Sequence, residues 1–168
     1  MHEWKSVSQR SIQTTVFLAA LLLGTIGIRA QQMPNPYGLS VSLENAKKAA
    51  ASATAEARKI DVRMSIAVTD VGGELVYFEK MDGTQMASVM MAQGKARTAV
   101  MFRRPSKTFA DQYAAGNTAF TTFTEQPVAS EGGIPIVVSG KIIGAIGASG
   151  GTGQQDGMAA AAGGGAVK

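Results

Sequence analysis

The sequence of 168 residues contains no cysteine, one histidine and one tryptophan. The histidine and the tryptophan are His2 and Trp4, so both lie within the first 30 residues. The absence of cysteine excludes disulfides, cysteine nucleophiles and cysteine-ligated zinc from this chain. Without its first 30 residues, the chain would also lack the histidine that Ser-His-Asp triads and most zinc sites require. These absences exclude several large classes of hydrolase and metalloprotein.

Residues 1–30 have the pattern of a secretory signal peptide. Lys5 and Arg10 precede the apolar run TTVFLAALLLGTIGI, and Ala30 is a small residue at the expected cut. A basic start, a short apolar run and a small residue before cleavage describe an export signal, and a spanning helix would need about 20 apolar residues. We therefore expect a signal peptide over 1–30, a single domain over 31–168, and a periplasmic or secreted protein with no membrane contact after cleavage.

The charge of the expected mature chain is small. The whole chain carries a formal net charge of +4, and removing residues 1–30 lowers it to about +2. A small and dispersed positive charge is not the basic patch by which proteins bind nucleic acid. We therefore expect no nucleic-acid partner.

Hydrophobic periodicity predicts two β-hairpins that are separated and flanked by helices. Ser42 can cap an alanine-rich amphipathic helix that begins at Leu43. Residues 64–81, MSIAVTDVGGELVYFEKM, predict one hairpin, and residues 134–149, IPIVVSGKIIGAIGAS, predict another. Such an order of elements is typical of an α+β domain, with one antiparallel sheet covered by helices.

The other helices are less regular. One is predicted over roughly 85–102, and a short one is predicted from Pro105 through Tyr113. The C-terminal tail predicts a last helix whose end should fray at Gly163–Gly165. Residues 114–130 have no clear period and predict a long connection.

Residues 131–151, EGGIPIVVSGKIIGAIGASGG, interrupt strand-forming runs with glycine. The segment lacks the Gly-Lys-Ser/Thr ending of a phosphate loop, and no strong helix follows it directly, so a dinucleotide fingerprint is also poor. Gly144 and Gly147 are three residues apart and fall on opposite faces of an extended strand. We expect that these glycines let a helix, a neighbouring subunit or a flat ligand approach the strand closely.

Three other patterns each allow two interpretations. Asp70 is either a catalytic carboxylate or the residue that opens a tight turn. Five methionines are either soft-metal ligands or adaptable core side chains: Met81, Met86, Met90, Met91 and Met101. Five cations either hold carboxylates or form a solvated helix face: Lys95, Arg97, Arg103, Arg104 and Lys107.

Three ordered motifs and Asp156 resemble the GlcG/HbpS family of haem-binding proteins, whose domain also occurs fused to some corrinoid adenosyltransferases. The motifs are AVTDVGGELVYFEKMDGT, KARTAV and EGGIPIVVSGKIIGAIGASGG, and the similarity extends from about Leu39 to Ala161. The resemblance implies a profilin-like fold, with an antiparallel sheet of about five strands flanked by helices. It further implies homo-oligomers, octamers among them, haem as a cofactor of some members and, under peroxide, haem breakdown.

The resemblance also implies a cofactor-binding set that is drawn from these motifs. Its ten residues are Met81, Asp82, Lys95, Arg97, Thr98, Gly132, Gly133, Pro135, Gly144 and Gly147. Once His2 is removed, neither histidine nor cysteine could ligate haem iron, so the iron would meet Met, Tyr, Lys, Thr or water, or be weakly held. No catalytic residue and no separate metal site is assigned.

Three functions remain open at this level. The first is an exported protein that binds haem or a related tetrapyrrole. The second is an accessory enzyme subunit for a small organic acid, with cations near Gly132-Gly133 holding its carboxylate and Asp70, Asp82 or Glu131 as acid or base. The third is a structural or interaction module without a ligand, whose glycine-rich strand packs against other subunits.

Overall fold

A computed structural model describes residues 34–168, so the predicted signal peptide, residues 1–30, lies outside the described residues. The described chain forms α1 (Leu43–Lys59), β1 (Ser65–Thr69), β2 (Leu75–Lys80), α2 (Ala87–Met101), α3 (Lys107–Ala114), β3 (Gly133–Val138), β4 (Lys141–Ser149) and α4 (Gly153–Gly165). The prediction of an α+β domain is confirmed. Over residues 34–168, no helix combines the length and the apolar character that crossing a membrane requires.

The sheet has four strands in the order β2-β1-β4-β3, and every neighbouring pair is antiparallel. Both predicted hairpins are present as β1–β2 and β3–β4. In the first turn, the Asp70 carboxylate accepts hydrogen bonds from the backbone N–H groups of Gly72, at 2.8 Å, and Glu74, at 2.9 Å. The sequence allowed two roles for Asp70, and the structure shows the turn-forming one.

The expectation of about five strands is wrong for the described residues, which form four. The chain before α1 runs beside β4 but makes a single bridge, between Tyr37 and Ile142. The Gly38 N–H donates to the Ile142 carbonyl at 2.7 Å, and the Ile142 N–H donates to the Pro36 carbonyl at 2.8 Å. Pro34 and Pro36 have no N–H to donate, so the pairing cannot continue into a ladder.

Helices cover both faces of the sheet. Helices α1 and α4 lie on one face and share a core with side chains of β1, β3 and β4, among them Ile66, Val68 and Ile146. Helix α2 lies on the other face, where Ala92 and Ala96 pack against Ala67. Because the contacting side chains on both faces are mostly small, the helices can approach the sheet closely.

Helices α1 and α4 each begin at a residue whose side chain caps the helix. The Ser42 hydroxyl accepts from the Asn45 N–H at the start of α1, as predicted, and Thr152 and Gln155 form a capping box at the start of α4. The predicted fraying at Gly163–Gly165 is wrong, since α4 continues through this segment. A Cβ at Gly163 would lie 2.8 Å from the Ala49 carbonyl of α1, so glycine here allows the two helices to pack.

Candidate ligand-binding site

A buried ion pair joins α2 to α4. Lys95 Nζ donates to Asp156 Oδ2 at 2.7 Å and to the Ala148 carbonyl of β4 at 3.3 Å. Asp156 Oδ1 accepts from the Gly151 N–H at 2.9 Å. Only 1% of Lys95 and 3% of Asp156 is exposed, and such burial of two charges is tolerated because they are paired and hydrogen-bonded.

Two predicted glycines adjoin this pair. Gly132 has a φ of +122°, and a Cβ there would lie 2.6 Å from the Ala148 carbonyl and 3.1 Å from Lys95 Nζ. A Cβ at Gly133 would collide with the backbone carbonyl of Lys95. These positions leave no room for any side chain, and the neighbouring backbone is what fills the space.

The two strand glycines lie on opposite faces of β4, as predicted. A Cβ at Gly147 would collide with the Ala92 carbonyl of α2 and lie 2.7 Å from the Ala96 nitrogen. A Cβ at Gly144 would collide with the Thr69 carbonyl of the neighbouring strand β1 and would lie 3.1 Å from Val41 on the other face. Close approach to the strand is therefore confirmed, and at Gly147 the approaching element is α2. We call the region around Lys95, Asp156, Gly132, Gly133 and Gly147 the buried junction.

The other predicted residues lie elsewhere. Thr98 is buried and its hydroxyl accepts from the Val128 N–H at 2.9 Å, whereas Pro135 is a half-buried residue of β3. Met81 and Asp82 follow β2 and line a different cleft, which is described below. The structure thus brings four of the ten residues together, and the assignment of all ten to a cofactor stays a prediction.

The five cations of the predicted basic group are divided by the fold. Three of them are paired with carboxylates: Lys95 with Asp156, Arg97 with Glu125 and Glu74, and Lys107 with Asp111. Arg103 lies over the ring of Tyr37, 5.6 Å from its centroid. Arg104 donates from Nε to the Phe102 carbonyl at 3.0 Å and has no carboxylate partner within residues 34–168.

Two hydrogen bonds hold the long connection between α3 and β3 against α2. Arg97 Nε donates to Glu125 Oε1 at 2.7 Å. This hydrogen bond, reinforced by the opposite charges, raises the pKa of Arg97 and lowers the pKa of Glu125. The bond from the Val128 N–H to the Thr98 hydroxyl adds a second fastening. Residues 125–128 therefore lie along α2 although they have no regular secondary structure.

Four phenylalanines and one arginine line a cleft beside this connection. The cleft has a volume of about 280 Å³, and we call it the aromatic cleft. Its lining residues are Phe102, Arg104, Phe109, Gln112, Asn117, Ala119, Phe120 and Phe123. Edge-to-face contacts join Phe109 to Phe102 and to Phe120, with centroids 4.9 and 5.4 Å apart. The rings therefore form one continuous apolar surface.

The aromatic cleft has a buried floor and an exposed rim. Phe109 and Phe120 are buried, Phe102 is half-buried, and 46% of Phe123 is exposed. The rings of Phe102 and Phe123 are inclined by only 22°, with centroids 6.1 Å apart. Two nearly parallel rings beside one arginine can bind a flat, anionic molecule.

Sequence reasoning named Arg104 in the basic group but missed the phenylalanines as site residues. One signal was present, because four of the six phenylalanines in the chain fall between residues 102 and 123. They have no helical or strand period, so the pattern did not indicate that they share a surface.

A second cleft, of about 410 Å³, is polar, and we call it the basic cleft. Its lining residues are Arg58, Arg63, Glu79, Lys80, Met81 and Asp82. Glu79 accepts from the Thr54 hydroxyl at 3.2 Å, and Met81 Sδ accepts from the Met64 N–H at 3.4 Å. Arg63 lies 3.7 Å from Asp61, whereas Arg58 and Lys80 have no carboxylate partner among the described residues and can hold a small anion.

The described part of the chain contains no candidate metal-binding group. No three His, Cys, Asp or Glu side chains within residues 34–168 are placed to share an ion. Of the five methionines, Met86 just before α2, Met90 within it and Met101 at its end are exposed, so the core interpretation is wrong for these three.

Comparisons with known proteins agree with this fold. The family model described as haem degrading protein HbpS-like matches residues 41–164. Protein GlcG of Escherichia coli strain K12 is 39% identical over 109 residues, which cover 65% of this chain and 81% of GlcG. A crystal structure of an HbpS double mutant from Streptomyces reticuli is 28% identical with a TM-score of 0.70, and the match covers 85% of this chain and 96% of HbpS. The crystal structure of a PduOC–haem complex has a TM-score of 0.71 over 77% of this chain and 96% of PduOC, and at 22% identity this likeness concerns the fold alone.

Proposed function

The chain belongs to the HbpS-like family, and from this premise we propose that it is an exported homo-oligomer that binds haem or a related tetrapyrrole. The family match over residues 41–164 carries the proposal, because that family is described by its action on haem. The N-terminal signal pattern in the sequence supports export to the periplasm or beyond the cell.

The aromatic cleft fits the chemistry of a tetrapyrrole. Such a ligand needs a flat apolar surface for its ring and a cation for its carboxylates. Phe102 and Phe123 would contact the ring, and Arg104 would hold a carboxylate. Haem, when bound, supplies redox chemistry at its iron.

The size of the aromatic cleft supports the oligomeric part of the proposal. Its volume of about 280 Å³ is just below the range of ligand pockets, about 300–1,000 Å³. One chain would therefore enclose only part of a porphyrin. A second copy of the chain would enclose more of the ligand.

Titration of the purified protein with haem tests the proposal. We expect a saturable absorption band that is shifted from that of free haem, and the heat-unfolded protein should not give it. A spectrum that is the sum of protein and free haem at micromolar concentrations would contradict the proposal.

Two further measurements test assembly and export. Light scattering after gel filtration should give a mass that is a multiple of the mature chain, and a monomer would contradict the homo-oligomer. N-terminal sequencing of protein from the cell envelope or medium should begin at Gln31. A chain that still begins at Met1 would contradict export with cleavage.

Binding of a small organic acid is a second candidate, which the basic cleft favours. Arg58, Arg63 and Lys80 converge there, and Asp82 could serve as an acid or base. Because a ligand that binds only the folded state raises the melting temperature, short carboxylic acids can be screened by thermal shift. An acid that stabilises the wild type but not Arg58→Gln would favour this candidate, and no shift with any acid would exclude it.

A further inference from the structure

Resting on the proposed function, we propose that the aromatic cleft recognises the ring and one carboxylate of its ligand, and not the metal. Metal-free porphyrin carboxylates are then ligands of the same site, with an affinity close to that of haem. Three observations on the lining of the cleft carry this inference.

The first observation is the ring surface. The half-buried Phe102 and the exposed Phe123 have nearly parallel rings, Phe109 contacts Phe102 edge to face, and Phe120 contacts Phe109 in the same way. Together these rings form a contiguous apolar patch, and such a patch marks a place for an apolar partner. A porphyrin ring matches this surface whether or not it contains a metal.

The second observation is the charge of Arg104. Arg97 and Lys107 on the flanking helices are paired with carboxylates, whereas Arg104 donates one N–H to a backbone carbonyl. A guanidinium can donate two parallel hydrogen bonds to a carboxylate, so Arg104 can bind one ligand carboxylate in this way. The lining of the cleft contains no acidic residue to compete for it.

The third observation is the set of donor atoms in the lining. The iron of haem is held in proteins by His, Cys, Met or Tyr side chains. The lining contains none of these, since the exposed Tyr113 lies outside it with its ring centroid 6.5 Å from that of Phe120. The polar groups of the lining besides Arg104 are the amides of Gln112 and Asn117. Residues 34–168 contain no histidine or cysteine at all. The protein therefore gains little affinity from the metal.

The experiment compares three ligands: haem, protoporphyrin IX without metal, and protoporphyrin dimethyl ester, in which both carboxylates are blocked. Each is titrated into the full chain and followed by absorption or porphyrin fluorescence. We expect haem and protoporphyrin IX to bind with affinities within about threefold of each other. The ester should bind at least about tenfold more weakly, because a hydrogen-bonded charge is lost.

Two arginine variants locate the carboxylate. Arg104→Gln should weaken binding of both acids by about tenfold and leave binding of the ester unchanged. Arg103→Gln is the matched control, since the neighbouring arginine lies over Tyr37, and it should leave all three affinities unchanged. Thermal unfolding of each variant verifies that it is folded.

The possible failures are distinguishable. If none of the three ligands binds, the proposed function is wrong. If haem binds and protoporphyrin IX binds more than about tenfold more weakly, the inference is wrong and the proposed function stands. If both acids bind but Arg104→Gln has no effect, the ligand lies outside the aromatic cleft, and the inference is again wrong.

Discussion

The aromatic cleft comes from residues 102–123, which lie in sequence between Lys95 and Gly132 of the buried junction, but the two regions differ in how their polar groups are satisfied. In the buried junction, Lys95 and Asp156 neutralise each other, and the backbone of α2 fills the space above Gly133 and Gly147. In the aromatic cleft, 46% of Phe123 is exposed and Arg104 has no carboxylate partner among the described residues. The first region is complete without a ligand, whereas the second presents groups that a ligand could satisfy.

This difference separates the residues that identify the family from those that can contact a ligand. The motifs KARTAV and EGGIPIVVSGKIIGAIGASGG supply most of the buried junction. The cleft is built largely from residues 102–123, which belong to none of the three motifs. We conclude that the motifs mainly maintain the fold, and we expect substitutions in the two regions to change different properties.

The largest effect is expected from breaking the buried ion pair. Asp156→Ala leaves the Lys95 ammonium buried without its partner, so the free energy of unfolding should fall by about 3–5 kcal/mol. The matched control is Asp111→Ala, which removes an exposed pair with Lys107 and should leave the free energy of unfolding almost unchanged. Urea unfolding of both variants gives the comparison. Equal losses of unfolding free energy would mean that the buried pair contributes no more to stability than the exposed pair does.

A smaller effect is expected from a single methyl group on β4. Gly147→Ala places a Cβ against the backbone of α2, which cannot move as a flexible side chain can, and should cost about 2–3 kcal/mol. Gly164→Ala is the control, because its nearest neighbours would lie 3.7 Å away or more. That variant should be neutral or gain up to about 1 kcal/mol from helix propensity. A Gly147→Ala variant as stable as the wild type would show that α2 can be displaced easily.

At the rim of the aromatic cleft, we expect a substitution to change stability little and ligand binding more. Phe123→Ala removes a half-exposed ring, so the free energy of unfolding should fall by no more than about 1 kcal/mol. The affinity for haem should fall by about fivefold or more, because an aromatic contact to the ring is lost. Met158→Ala removes a similarly exposed side chain from α4 and should not change haem binding. Unchanged haem affinity in Phe123→Ala would show that the Phe123 ring does not contact the ligand.

The smallest effect concerns acid. Because Arg97 lowers the pKa of Glu125, the stability from this pair is fully present above the ordinary glutamate value of 4.5 and is lost as pH falls through the lowered pKa. The difference in unfolding free energy between the wild type and Glu125→Gln should therefore shrink from about pH 6 to about pH 3. A difference in unfolding free energy that grows as the pH falls would contradict the lowered pKa of Glu125. The effect stays small because both side chains are well exposed to solvent.

Local signals in the sequence were sufficient for most of the fold. The Ser42 cap, the turn at Gly72-Gly73 and the two hairpins depend on residues close in sequence, and each was predicted. The failures depend on distant contacts. Gly163 stays helical because α1 lies against it, and the segment before α1 stops at one bridge because proline limits its pairing.

The candidate site could be predicted only in part for the same reason. Arg104 was recognised as a cation, but only the fold pairs Arg97 with Glu125 and leaves Arg104 beside a cleft. Phe102 and Phe120 are 18 positions apart, and no period connects them. Tertiary packing of α3 and the following connection brings their rings together through Phe109.

A crystal structure of the protein with bound haem tests the central claim most directly. We expect the ring to lie against Phe102 and Phe123, one carboxylate to be within hydrogen-bond distance of the Arg104 guanidinium, and the buried junction to be unchanged. A ring bound in the basic cleft beside Met81 and Asp82, or a Lys95–Asp156 pair opened to admit the ligand, would contradict it.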